Sequence, residues 1–312
     1  MYFPYLRGRQ FELIAIRDLA LEGALDKITP IIEPVKESFN SLNLANKILF
    51  DANVNPFLIV NPQVGEVCGN EFHYLDYIEG LENSVYRHAF HYSDNASYIL
   101  ECIEKYNLNN CMIIGLDNFT KEDELGSLCE NERIKFVVLL EPHKYRSLDR
   151  DIKKLDKIYI RLDDLFEKQQ RNSDFLNISK HKFSEEHLYY KADDYQGFGD
   201  FTVLPREYIE GGSTPRAVVI NLTYINNRAD KQIWIRHFTS DTNDSISNVQ
   251  GKFAEATKKA INFCDELPLY NSGVDELRSY LRDSKYPGLG TVKKITIKNH
   301  LLVIKSYLDE LS

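Results

Sequence analysis

The sequence contains no C-x-x-C pair, no H-E-x-x-H, no G-x-S-x-G and no glycine-rich loop between a strand and a helix. Each absence removes a chemistry: a zinc knuckle, a zincin, a hydrolase elbow and a phosphate-cradling loop. Gly211-Gly212-Ser213-Thr214 precedes a strand pattern rather than a helix and is not read as a P-loop. Five cysteines, Cys68, Cys102, Cys111, Cys129 and Cys264, are an odd number at scattered spacings and read as free thiols. No apolar run approaches the roughly 18 residues of a membrane span, and the opening MYFPYLRGRQ lacks the long apolar core of a secretory signal. A soluble, cytoplasmic protein is expected. Positive charge is also short: 38 Lys+Arg face 47 Asp+Glu, a net charge of −9. That balance argues against nonspecific nucleic-acid binding, which rests on clustered cations neutralising phosphates.

What is present is apolar material for a core, 43% of 312 residues, arranged in an alternation. Short runs at 3–6, 29–33, 57–61, 86–91, 112–117, 136–141 and 158–163 are nearly all apolar, as in a parallel sheet covered on both faces. Between them lie amphipathic stretches such as Tyr98-Leu100-Ile103-Tyr106. Polar residues close successive strands at steps of 20 to 30 residues, the length of one βαβ unit. Three closures share a text, Ile-Ile-Glu-Pro at 31–34, Ile-Val-Asn-Pro at 59–62 and Leu-Leu-Glu-Pro at 139–142. Proline ends the strand there and is expected to leave the preceding residue extended at the rim. With an eighth strand at 187–191, the pattern predicts an α/β fold of the (β/α)8 TIM-barrel type over residues 1–200. A doubly wound open sheet is the alternative.

Residues 201–312 break the pattern and are expected to form a β-hairpin plus C-terminal helices packed on the barrel. Runs at 217–225 and 232–238 flank a polar turn, and helices are expected around 253–265, 274–283 and 291–311. The segment 191–200, KADDYQGFGD, reads as a structured loop whose aspartates do not match EF-hand spacing. Tyr224, Trp234 and Phe238 beside Arg228, Arg236 and His237 suit either a binding surface or a half-buried sheet.

Barrel enzymes place their chemistry at the C-terminal rim. Here the rim comprises Arg7, Arg9, Glu33, Asn61, Gln63, His91, Asp117, Glu141, Arg161 and Asp163, with Asp193 and Asp194 beyond. Glu33, Glu141, Arg161 and Asp163 are the candidate catalytic group, and Arg7, Arg9, Asn61 and His91 the candidate substrate-binding group. Asp117 and Glu141 are candidate ligands for Mg²⁺ or Mn²⁺, which take carboxylate oxygens. The plain alternative is that these residues cap helices or close ion pairs that only fasten the barrel. His88 and His91, three apart on a strand, point to opposite faces and are not joint ligands. Arg278, Arg282, Lys285, Lys293, Lys294 and Lys298 form a locally basic stretch, read as a solvated helical face or a docking site for an acidic partner.

The opening from Tyr2 to Arg17, YFPYLRGRQFELIAIR, together with Ile31-Ile-Glu-Pro34, Gly197-Phe-Gly-Asp200 and Ala217-Val-Val-Ile-Asn-Leu-Thr-Tyr224, resembles the bacterial and phage proteins grouped with the phage T4 beta protein. The resemblance runs over nearly the whole chain. It implies a barrel-like fold in a family of phages and of mobile or defence-associated bacterial loci, and it brings no catalytic residues. Two functions are therefore expected. One is a barrel-scaffold subunit or sensor of a phage-conflict system that docks a partner protein or self-associates. The other is a metal-assisted hydrolase or transferase acting on a phosphorylated or nucleotide-like substrate at the rim.

Overall fold

The structure, a computed structural model, describes residues 1–211 and 215–311. Of the Gly211–Thr214 run, residues 212–214 lie outside the described residues, as does Ser312. In chain order the first elements are β1 (Tyr5–Arg7), α1 (Gln10–Leu21), β2 (Ile31–Glu33), α2 (Asn40–Asp51), β3 (Phe57–Ile59), α3 (His73–Glu79) and β4 (Arg87–Tyr92). They continue with α4 (Ala96–Lys105), β5 (Cys111–Gly115), α5 (Glu122–Cys129), β6 (Ile134–Leu140), α6 (Arg146–Ile152) and β7 (Ile158–Asp163). Next come β8 (Lys180–Ser184), α7 (Glu186–Tyr189), β9 (Gly197–Asp200), β10 (Val219–Asn226), β11 (Gln232–Thr239), α8 (Val249–Glu266), α9 (Ser272–Asp283) and α10 (Leu289–Glu310). The chain divides into two compact units, one of 1–13, 17–164 and 186–201, the other of 14–16, 165–185 and 202–312. The segment 165–185, within the expected barrel range of 1–200, thus groups with the second unit.

In the first unit β1 to β7 pair in sequence, all parallel, and β9 completes the order. An isolated parallel bridge between Tyr2 and Phe198 joins the two ends, with Phe3 N donating to Phe198 O at 2.8 Å. The result is a TIM-barrel-like fold flanked by helices, as the alternation predicts. The strand interiors are mostly apolar because both faces are covered, Arg161 in β7 being an exception. Inward residues such as Ile31, Ile59, Met112, Val138, Ile160 and Leu162 fill the barrel. At the N-terminal end of β4, Arg87 lies 4.1 Å and 4.3 Å from the ring centres of Phe57 and Phe136, closing that end of the core with a cation over two aromatic faces. Helices bury one stripe; in α4 it is Ala96, Ile99, Cys102 and Ile103, three to four apart. The chain turns after α2 and α4 at Asn53 and Asn107, both left-handed, a conformation that asparagine tolerates.

Two expectations fail here. His187, placed on the eighth strand, sits in the short helix α7, and the eighth barrel strand is the GFGD segment that reads as a loop. The glycines are there because Phe3 takes their side-chain space: a Cβ on Gly197 would come within 2.6 Å of the Phe3 ring, and one on Gly199 within 2.2 Å of the Phe3 carbonyl oxygen. The second concerns Glu141, which is not extended before Pro142 but left-handed, at φ 46°. Its N–H donates to Leu162 O at 2.8 Å, and its carbonyl accepts from Lys144 N at 2.9 Å, so a tight turn replaces the straight exit.

The second unit contains an antiparallel sheet in the order β10-β11-β8. The β10–β11 hairpin pairs Tyr224 with Trp234 and Ile220 with Phe238, and turns through left-handed Asp230 and Lys231. Strand β8 joins as a third member; its text, KHKFS, is too polar to stand out, since only Phe183 and Ser184 are buried. Phe253, Ala256, Ala260 and Cys264 of α8 share one core with Val218, Ile220 and Leu222, joined by Val274 and Leu277 of α9 and Ile295 of α10. Asn248 and Asn271 cap α8 and α9, accepting from Gly251 N and Val274 N at 3.0 Å each. Among the described residues no helix is long and apolar enough to cross a membrane.

Candidate functional site

In β1, β2 and β4 alternate residues face the barrel interior, and the last inward positions carry polar side chains. Tyr5 and Arg7 on β1, Glu33 on β2 and His91 on β4 meet at the C-terminal mouth, where barrel enzymes hold their reactive groups. Glu33 is fully buried and accepts from the Tyr5 hydroxyl at 2.5 Å, from the Arg7 guanidinium and from Gln63 N at 2.8 Å. The Tyr5 oxygen lies 2.8 Å from His91 Nε2, and that nitrogen is 3.4 Å from the other Glu33 oxygen. A single hydroxyl proton given to Glu33 leaves the Tyr5 oxygen to accept from His91 Nε2–H. Carboxylate, phenol and imidazole thus form one hydrogen-bonded chain, with Arg7 supplying the positive charge that a buried Glu33 requires.

The neighbours explain the order of this cluster. Asn61 lies just past β3, and its amide donates to His91 O and accepts from His91 N, both at 2.8 Å. Both ends of that amide are spent on extending the β3–β4 ladder, so Asn61 positions His91 instead of facing a substrate. Glu12, not singled out from the sequence, is 3% exposed and accepts from Arg7 N at 2.6 Å. Arg9 stands at the N-cap of α1.

The remaining rim residues gather elsewhere. Ile160 and Leu162 point into the barrel, so Arg161 and Asp163 lie on the opposite, outward face of β7. Arg161 grips Asp163 with two nitrogens, at 2.7 and 3.2 Å, and reaches Glu186 of α7 at 2.9 Å, with Asp193 at 4.0 Å. Burial pushes the Asp163 carboxyl above its usual range; the Arg161 guanidinium opposes that shift and the charge of Glu141 adds to it. Glu141 pairs with Lys144 at 2.5 Å. Glu33 is therefore not brought together with Glu141, Arg161 and Asp163 as one catalytic group. Asp117 is exposed, and among the described residues no three His, Cys, Asp or Glu side chains are grouped to hold a metal ion.

In the second unit the basic stretch is largely neutralised by its own neighbours. Arg278 pairs with Asp265 and Asp275 at 2.7 and 3.1 Å, Arg282 with Asp283 at 2.9 Å and Lys294 with Glu276 at 2.7 Å. Lys298 is 4% exposed and belongs to no surface face, while Lys293 is exposed. The same unit holds a histidine relay that the sequence does not announce. His237 Nδ1 donates to Asn221 Oδ1 at 2.8 Å, leaving its Nε2 to accept from His181 Nδ1 at 3.4 Å. Burial, aided by His181, drives His237 from 6.5 down to about 3. Between these values the unfolded chain binds the extra proton, so stability rises with pH and is lost as pH falls below about 6. A single such group gives at most roughly 1.4 kcal/mol per pH unit. The lone tryptophan, Trp234 on β11, is placed to report it. Urea titrations followed by its fluorescence at pH 7 and pH 4.5 are expected to show a large acid loss that His237→Gln flattens; an equal loss in both proteins would rule the relay out as its cause.

The fold and mouth define a TIM-barrel-like protein with a buried, hydrogen-bonded polar cluster at the C-terminal ends of its first four strands. No protein-family model, no curated protein and no solved structure matches the chain.

Proposed function

We propose that the protein is a barrel-scaffold subunit of a cytoplasmic phage-conflict or mobile-element-linked system, which works by docking a partner protein or a second copy of itself. The biological setting comes from the resemblance to the phage T4 beta protein family. The observation that carries the scaffold reading is the state of the rim carboxylates: Glu33 is held by Arg7, Tyr5 and Gln63, Asp163 by Arg161, and Glu141 by Lys144. A divalent cation needs several of these oxygens at once and would first have to displace the cations already paired with them. The docking surface no longer rests on Arg278, Arg282, Lys293, Lys294 and Lys298, most of which are paired or buried.

The second reading, a hydrolase or transferase for a phosphorylated or nucleotide-like substrate at the rim, draws on the Tyr5–Glu33–His91 chain beside Arg7, an arrangement able to move a proton. One pair of measurements separates the two. Protein isolated from its host at native abundance is expected to run above 36.3 kDa, with one defined protein or a second copy in fixed ratio. Calorimetry with Mn²⁺ is expected to show no saturable binding. A lone monomer that takes up Mn²⁺ in wild type but not in Glu33→Gln would replace the scaffold with the enzyme.

A further inference from the structure

The N-terminal end of the barrel holds a second site, independent of the mouth and of the scaffold reading. Between the α1–β2 and α2–β3 connections lies a cleft of about 370 Å³, whose polar lining is Asp26, Thr29, Asn53, Asn55 and Arg87. This is at the small end of the range for metabolite pockets. Arg87 stands two residues before the inward Ala89 on β4, and Thr29 two before the inward Ile31 of β2, so both start from the inner face. The Arg87 guanidinium rests on the Phe57 and Phe136 rings, and among the described residues it makes no hydrogen bond and no ion pair. Burial pulls its pKa below the ordinary arginine value; Cys111 alone opposes that shift, and no carboxylate contributes. A half-buried cation left so costs stability unless an anion meets it. An aliphatic side chain over the same two rings would close the barrel end without that cost. The neighbouring groups are open as well: the side chains of Thr29, Asn53 and Asn55 make no hydrogen bond among the described residues.

We propose that this cleft binds a free α-amino acid, with its carboxylate on Arg87 and its ammonium toward Asp26. A guanidinium stacked on rings keeps its in-plane N–H groups available, and they match a carboxylate as a planar fork. Those nitrogens are not closed off from solvent. One guanidinium balances one negative charge, which suits a carboxylate better than a phosphate dianion. Asp26, exposed on the same wall, repels a second anionic group and attracts an ammonium. It makes no ion pair with Arg87, so the two charges stand apart and a zwitterion can bridge them. The Thr29 hydroxyl and the Asn53 and Asn55 amides both donate and accept, and serve the remaining polar atoms of the ligand. Leu25, Ile28 and Val54 supply an apolar wall for its side chain.

Thermal unfolding of the full chain with each common L-amino acid at about 5 mM, followed by calorimetry on the one that stabilises most, tests the assignment. That amino acid is expected to bind saturably at one site, and its C-terminal amide and inorganic phosphate at least about tenfold more weakly. Arg87→Lys, which keeps charge but loses the fork, is expected to weaken it roughly 10- to 100-fold. Arg87→Met is expected to abolish binding without lowering the melting temperature of the free protein, because no hydrogen bond or ion pair is lost. Asp26→Asn is expected to weaken the amino acid several-fold and to leave the matching hydroxy acid, which lacks the ammonium, unchanged. Glu33→Gln, at the mouth, is expected to leave binding as in wild type. No amino acid raising the melting temperature, the amide binding as tightly as the acid, or a folded Arg87→Met protein binding like wild type would each overturn the proposal.

Discussion

Replacing Arg7 with methionine is expected to destabilise the barrel by about 3–5 kcal/mol, the cost of stripping one partner from a buried ion pair. The Glu33 side chain is 1% exposed and that of Arg7 14%, so water cannot take over the role of the guanidinium. Tyr5 and Gln63 still donate to Glu33, but neither carries charge. Glu33→Gln is expected to cost a similar amount, since it leaves Arg7 facing an amide. The double variant Arg7→Met/Glu33→Gln removes both charges together and is expected to recover at least half of the summed loss, because neutral replacements for a buried pair are often tolerated. Urea unfolding followed by far-UV circular dichroism reads these differences, with Trp234 fluorescence reporting the second unit separately. A single-variant loss below about 1 kcal/mol would mean that the pair behaves as a solvated surface bridge, and the account of a carboxylate locked at the mouth would fall with it.

The same cluster shows why part of the site is legible in sequence and part is not. Polar residues that end apolar strands at regular steps mark Arg7, Glu33, Asn61 and His91 without any structure. What they do not mark is direction. In a barrel covered by helices both faces of a strand are apolar, so the alternation that would separate inside from outside is missing. Arg161 and Asp163 close β7 as Glu33 closes β2, yet they face outward to Glu186 while Glu33 faces inward to Tyr5. Tyr5 is invisible for a related reason: an aromatic in a short apolar strand reads as core, and its ring does pack 4.9 Å from that of Phe201. Only its two-residue spacing from Arg7 places both on one face. The charge of Arg278 looks like part of a docking face until helix packing brings Asp265 and the preceding turn of α9 beside it, and Arg282 pairs with the adjacent Asp283.

The eighth strand is the sharpest case of a signal read backwards, and it yields the second large effect. Gly199→Ala is expected to cost about 3 kcal/mol or more, because the added methyl would stand 2.2 Å from the Phe3 carbonyl oxygen. That oxygen belongs to the backbone where Phe3 N bonds Phe198 O and the barrel closes, so relief requires parting the seam. Gly197→Ala meets the Phe3 ring instead, at 2.6 and 2.8 Å, and is expected to cost about 1–3 kcal/mol. The two substitutions should therefore respond differently to a smaller residue at position 3. Phe3→Val makes room for the Gly197 methyl, and the pair is expected to be less destabilised than the sum of its singles. The same change leaves the carbonyl oxygen in place, so with Gly199→Ala the losses are expected to add. Neither glycine has a left-handed φ, so the penalty is one of space and not of backbone conformation. A Gly199→Ala protein within about 1 kcal/mol of wild type would show that the strands do not close at Phe3 and Phe198, and the glycines of GFGD would again be the loop residues they resemble.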